Sequence, residues 1–352
     1  MNSMEKQIPF IDQSALGAKA CFYVGGDYAE TDGKRFLTGQ MFVEVYEPRV
    51  RQHPYPVVMF HGAGQTNMNW LQTPDGRIGW ADYFVSRGFC VALAEQPSRG
   101  RSAYHPAAEG PRIFHPLQIV RQRFTTDEGP WPQAKLHTQW PENGGDWDDP
   151  TFRQFAASQV EYLPSNKRSQ ELVLAAGQEL LKLLGPSILL THSQAGPFGW
   201  LLADACPENV KAVIALEPTA PPFSMDLSSP KAKNYGLADV PLHFEPPVQS
   251  PEDFKLRLLP SPSPGLVDGW VLDEERRLPR LTMPILTAVS EASYHAQFDH
   301  LLSYVMDQLG VRHDFVRLED VGIHGNSHMM MLEKNHLEIA DFLIRWLIQN
   351  NL

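Results

Sequence analysis

Ile188-Leu189-Leu190-Thr191-His192-Ser193-Gln194-Ala195-Gly196-Pro197-Phe198 decides the fold, because an uninterrupted apolar run meets a few small and polar residues and then resumes as an apolar, helix-compatible stretch. An apolar run of this length suits a strand buried on both faces. Upstream, 170–184 sets Leu172, Leu174, Ala176, Leu180, Leu181 and Leu184 mainly along one helical face and stops at Gly185-Pro186. Downstream, the helical stretch 198–205 ends at Cys206-Pro207 and a strand follows over 210–217. The unit is strand, turn, helix, strand. The same alternation continues outward, with strands expected at 21–24, 41–46, 57–60, 89–94, 285–289 and 315–318, and helices at 296–309 and 337–348. It predicts an α/β fold with a mostly parallel central sheet flanked by helices.

The chain has 352 residues, enough for one large α/β domain. Lys and Arg number 30 against 41 Asp and Glu, a net charge of -11, which argues against a grip on nucleic acid or an anionic membrane surface. No stretch approaches a membrane span, and the first residues lack a signal-like apolar run. Cys21, Cys90 and Cys206 are too few and too scattered for a disulfide framework or a cysteine metal site. A soluble cytoplasmic protein in a reducing compartment, monomer or homodimer, is the expectation.

Two stretches break the rhythm. The first, 101–164, carries Trp131, Trp140 and Trp147 among Pro, Gly and acidic residues, and 218–280 is also proline-rich. Neither reads as sheet core, and both are expected to cap the strand ends of a single domain, 1–352. The three tryptophans, with Phe223 and Trp270, suggest a pocket for an apolar or aromatic small molecule.

Ser193 sits where a nucleophile elbow would place it, at a tight strand-to-helix turn, although Thr191 and Ala195 stand where G-x-S-x-G has glycine and Gly196 comes one place late. A second backbone donor for an oxyanion is expected from Phe60-His61-Gly62-Ala63-Gly64-Gln65, directly after the strand at 57–60. The N–H groups of Ala63 and Gln194 would stabilise a tetrahedral intermediate by roughly 3–4 kcal/mol each. A serine hydroxyl needs a base, and Gly322-Ile323-His324-Gly325-Asn326-Ser327-His328 offers two candidates, His324 and His328. The orienting carboxylate is open between Glu217 in Leu216-Glu217-Pro218 and Glu291 in Ser290-Glu291-Ala292, both at strand ends.

In this order, a His-Gly loop, a serine elbow, a carboxylate and a late histidine, the residues resemble the α/β-hydrolase superfamily over nearly the whole chain. His328, followed by Glu333-Lys334, is similar to the pattern after the catalytic histidine in many of its members. Thr73-Pro74-Asp75-Gly76-Arg77-Ile78-Gly79-Trp80, Ser98-Arg99-Gly100-Arg101-Ser102 and His324-Gly325-Asn326-Ser327-His328-Met329-Met330-Met331 resemble a branch typified by a bacterial esterase from Alcaligenes. That branch replaces the usual elbow glycines and takes its acid as Glu after the strand following the nucleophile, which maps onto Glu217.

The expectation is therefore a serine hydrolase of carboxylesterase or lactonase type, with Ser193, His328 and Glu217 as triad, Ala63 and Gln194 as oxyanion donors, and His324 and Glu291 in reserve. No metal or organic cofactor is called for. A C–C hydrolase, isomerase or cyclase could use the same site, and a silent ligand-binding protein is the alternative outside catalysis.

Overall fold

The structure, a computed structural model, describes residues 8–142, 145–218, 221–228, 231–232 and 234–352. Its central sheet contains β1 (Leu16–Thr31), β2 (Lys34–Pro48), β3 (Val57–Phe60), β4 (Val91–Glu95), β5 (Ser187–His192), β6 (Val210–Leu216), β9 (Ile285–Val289) and β10 (Asp314–Arg317). The strands lie in the order β1-β2-β4-β3-β5-β6-β9-β10. All neighbours from β4 to β10 run parallel, and β2 is antiparallel to both β1 and β4. β7 (Leu256–Leu259) and β8 (Gly269–Leu272) form a separate antiparallel pair inside 218–280.

Why the middle strands read as unbroken apolar runs is visible in the packing. Val58, Phe60, Leu189, Val213 and Ala215 face one core. Their alternating neighbours Val57, Met59, Ile188, Leu190, Ala212 and Ile214 face the other. Each strand therefore carries apolar residues on both faces along its covered middle, as strands covered by helices on both faces do.

Helices cover both faces. α1 (Met68–Leu71) and α2 (Trp80–Ser86) follow β3, and α3 (Pro106–Glu109), α4 (Leu117–Phe124) and α5 (Pro150–Ala157) fall within 101–164. α6 (Asn166–Leu184) and α7 (Gly196–Ala205) flank β5, with α8 (Asp299–Gln308) and α9 (His336–Gln349) toward the end. α6 starts at Ser165, whose side chain accepts from the Arg168 N–H, and stops at Gly185 with φ 74.

The expected 21–24 and 41–46 strands are the middle of a much longer hairpin. Its turn is Asp32-Gly33, with φ 52 and 67, the positive-φ pair that a two-residue hairpin loop requires. Most of β1 is exposed, so it has no apolar run to announce it.

Candidate active site

The three chain segments expected to carry chemistry converge on one cavity of about 550 Å³. β5 delivers Ser193, which stands at φ 55 immediately past the strand. Left-handed backbone at a non-glycine residue stores strain, and here it lifts the side chain off the sheet end before Pro197 opens α7. The departures from G-x-S-x-G have a steric account. Ala195 is fully buried, and the close approaches fall on other glycines. A Cβ on Gly199 would stand 2.7 Å from Val213 Cγ1, and one on Gly62 would stand 3.0 Å from Ser193 Cβ. Glycine is thus needed one helical turn later than the motif has it, and on the facing β3 loop.

Glu217 follows β6 at φ 43 and is fully buried. Its carboxylate accepts from the Ser290 N–H at 2.8 Å, the Ser293 hydroxyl at 2.6 Å and His328 Nδ1 at 2.5 Å. With Nδ1–H committed to Glu217, the neutral tautomer leaves the lone pair on Nε2, which faces the Tyr294 hydroxyl at 3.4 Å. The same hydroxyl hydrogen-bonds the Ser193 side chain. Burial holds His328 well below the ordinary histidine pKa, and the charges of His295 and Arg123 act in the same direction.

The loop carrying His328 is fixed from below by Glu333. That carboxylate accepts from the Ser327 N–H at 3.0 Å, Asn326 Nδ2 at 2.7 Å and His137 Nε2 at 2.8 Å. His192 Nε2 adds a bond to the His328 carbonyl at 2.9 Å. A second buried pair lies alongside, since the His295 ring stacks on His328 at 5.0 Å and its Nδ1 meets Asp299 Oδ1 at 2.9 Å.

Ala63 and Gln194 both line the cavity. The two loops that carry them are joined by Arg99, only 2% exposed. Its guanidinium donates to the Gly62 and Gln65 carbonyls, each at 3.1 Å, and to Gln194 Oε1 at 3.3 Å. Ser98, at φ 61, turns the chain so that Arg99 points inward. Burial lowers the Arg99 pKa to about 9, so it stays charged at neutral pH.

His324 and Glu291 are brought together elsewhere. They pair with each other at 3.3 Å, His324 is exposed, and neither lines the cavity. Of the aromatic residues expected at a pocket, Trp131 lines it. Trp140 packs on Phe155, Phe223 on Phe254, and Trp270 lies in the core, while Trp147 is half exposed. The segment 101–164 supplies much of the cavity wall, whereas 218–280 supplies Met225 alone among the described residues. Glu217, His295 and His328 are also the one cluster among the described residues whose ligand atoms lie within 4.8 Å of one another. Glu217 and His328 already spend those atoms on each other and on the two serines.

Tyr294, His295 and Ser293 were missed from the sequence. They lie two to four residues after Glu291, so the signal lay in the right loop but on the wrong side chain.

A mostly parallel sheet of this strand order, with a left-handed serine turn at the end of its central strand, defines an α/β-hydrolase. Compared with known proteins, the chain is 38% identical over 331 residues to the probable secreted lipase phiG of Fungal sp. (strain ATCC 74256). The match spans 93% of this chain and 88% of the relative, and the chain belongs to that family. A novel bacterial esterase of known structure superposes with a TM-score of 0.67 at 22% identity, over 96% of this chain and 97% of its own, which bears out the fold. No protein-family model matches.

The relative also corrects one expectation. A cytoplasmic location, argued from the first residues and the unpaired cysteines, is overturned by kinship with a probable secreted lipase. Two of the three thiols, Cys90 and Cys206, are buried, so their unpaired state carries no information about the redox compartment. Among the described residues no helix is long and apolar enough to cross a membrane.

Proposed function

We propose that the protein hydrolyses carboxylic esters or lactones of small-to-medium apolar molecules through an acyl-enzyme. Ser193 attacks the carbonyl, its proton passes to His328 Nε2 and then to the leaving alcohol, and Glu217 holds the imidazole in the tautomer that can accept. The Ala63 and Gln194 N–H groups receive the oxyanion. Water, activated by the same imidazole, then releases the acid. The segments 101–164 and 218–280 act as caps on one domain.

The observation that carries this reading is the Glu217–His328 contact at 2.5 Å opening onto the cavity that holds the left-handed Ser193. The lipase relative supports the reaction class. A fluorophosphonate probe followed by peptide mass spectrometry should place one adduct on Ser193. Ser193→Ala should lose both the adduct and about ten-thousandfold or more in ester turnover. A folded protein that takes no adduct and retains its turnover in Ser193→Ala would sink the proposal.

A further inference from the structure

The residues around the cavity are unusual for an acidic protein. The chain carries 41 Asp and Glu, yet among the described residues that line this cavity there is not one carboxylate. There is a cation, Arg123, in the last turn of α4. Its guanidinium lies 5.3 Å over the Tyr294 ring, and Tyr294 is the residue whose hydroxyl meets both Ser193 and His328 Nε2. The charge is thus one aromatic ring away from the reacting atoms.

Arg123 is also unspent. Arg121, two residues earlier on the same helix, is paired with Glu128 and Asp146. Arg112 is paired with Glu161, and Arg101 with Glu44 and Glu95. Among the described residues Arg123 makes no side-chain hydrogen bond and no ion pair. Acids are available throughout this part of the chain, and none is placed against it. A second cation, Arg99, is buried behind the loops that carry Ala63 and Gln194; it donates to carbonyl oxygens and an amide and has no carboxylate partner either. Arg123 is thus the one Arg or Lys among the described residues lining the cavity, and the Glu217 carboxylate behind His328 is taken up by His328, Ser290 and Ser293, while the walls formed by Ile113, Ile119, Phe124, Trp131 and Phe298 suit a carbon chain.

We infer that, among esters whose body is apolar, the cavity prefers those whose carbon chain ends in a free carboxylate, held by the Arg123 guanidinium. This inference rests on the hydrolase reading above and names the substrate class of the same site. A guanidinium presents a planar fork that matches a carboxylate, which a point charge does not. Because Arg123 is exposed, solvent screens the pairing and the selectivity it confers is moderate and salt-dependent.

The test compares kcat/KM for the mono-4-nitrophenyl ester of glutaric acid with that for 4-nitrophenyl hexanoate. In the natural protein the ratio of charged to neutral ester should fall as NaCl is raised. In Arg123→Gln it should fall by about fivefold or more at low salt, and Arg123→Lys should keep a larger part of it. A ratio that stays within about twofold in Arg123→Gln, with Ser193 still labelled by the fluorophosphonate, overturns the carboxylate site alone. If neither ester turns over and Ser193 takes no label, the hydrolase reading falls, and the substrate class with it.

Discussion

Arg99 shows how a single side chain can set the geometry of two loops. Removing its guanidinium would strand the Gly62 and Gln65 carbonyls and Gln194 Oε1 without that donor in a buried setting, at about 1–3 kcal/mol for each oxygen left unsatisfied. It would also withdraw a positive charge from behind the proposed oxyanion donors. Arg99→Met should therefore lower kcat by about tenfold to a hundredfold, with a smaller change in KM, because the lost stabilisation belongs to the anionic transition state. Arg99→Lys keeps the charge but not the fork and should recover only part of kcat. Steady-state kinetics on a 4-nitrophenyl ester, with Tm measured in parallel, decides it. Equal loss of kcat in both variants with no change in Tm would leave charge without a role. At this scale the sequence was most informative where chemistry restricts residue type. Ser193 was singled out by its turn, whereas His328 over His324 and Glu217 over Glu291 were separated only by the family resemblance; Ser193 and His328 line one cavity, with Glu217 buried behind His328. Arg99 was quoted only as part of a resemblance, since nothing local distinguishes a buried arginine from its exposed neighbour Arg101.

The elements that position the site depend on close approach between backbones. β3 and β5 are adjacent parallel strands, so the loop after Phe60 and the turn after His192 end side by side. Gly62 is the point of contact. A Cβ there would meet Ser193 Cβ at 3.0 Å and His192 Nδ1 at 3.2 Å, closer than ordinary van der Waals separation. Gly62→Ala should push the serine turn and the Ala63 loop apart by a few tenths of an ångström. A displacement of that size should lower kcat by about tenfold, while the buried strands that dominate stability are untouched. The rate of fluorophosphonate labelling at Ser193, read against Tm, tests this: unchanged labelling with a large drop in Tm would mean the strain falls on the core and not on the turn. Parallel strands with both faces buried were legible because both faces of their covered middle had to be apolar. The long β1–β2 hairpin was not, as exposed strand residues carry no pattern beyond Asp32-Gly33, and the small β7–β8 pair hid in a proline-rich stretch because its strands are only four residues each, too short to show a period.

Across the molecule, stability should depend on pH through histidines that are buried without charge. His61 is the sharpest case. It is fully buried beneath the Gly62 loop, with Nδ1 3.1 Å from the Gly62 carbonyl and Nε2 3.4 Å from the Gln96 N–H. That pairing requires a proton on Nδ1 and a lone pair on Nε2. Burial, reinforced by the Arg99 charge, lowers its pKa to about 3, and burial lowers His336 to about 4. The unfolded chain takes up these protons near the ordinary histidine pKa of about 6.5. Between that value and the folded pKa, the unfolded state holds the extra proton, so stability is lost as pH falls. Each such residue contributes a slope of up to about 1.4 kcal/mol per pH unit well below 6.5. Two groups act in the opposite sense. Burial works against charge at His137 and His295 too, but Glu333 and Asp299 outweigh it and raise them. Asp299 itself is raised by burial to about 6. A substitution at His61 isolates one contribution from this mixture. His61→Gln should be less stable than the natural protein at pH 7, because it loses a well-packed ring. Its further loss of unfolding free energy from pH 7 to pH 5 should be smaller by about 2 kcal/mol, measured by urea denaturation at both values. An identical loss in the two proteins would show that His61 takes up its proton in the folded state, and that the loop above it tolerates the charge.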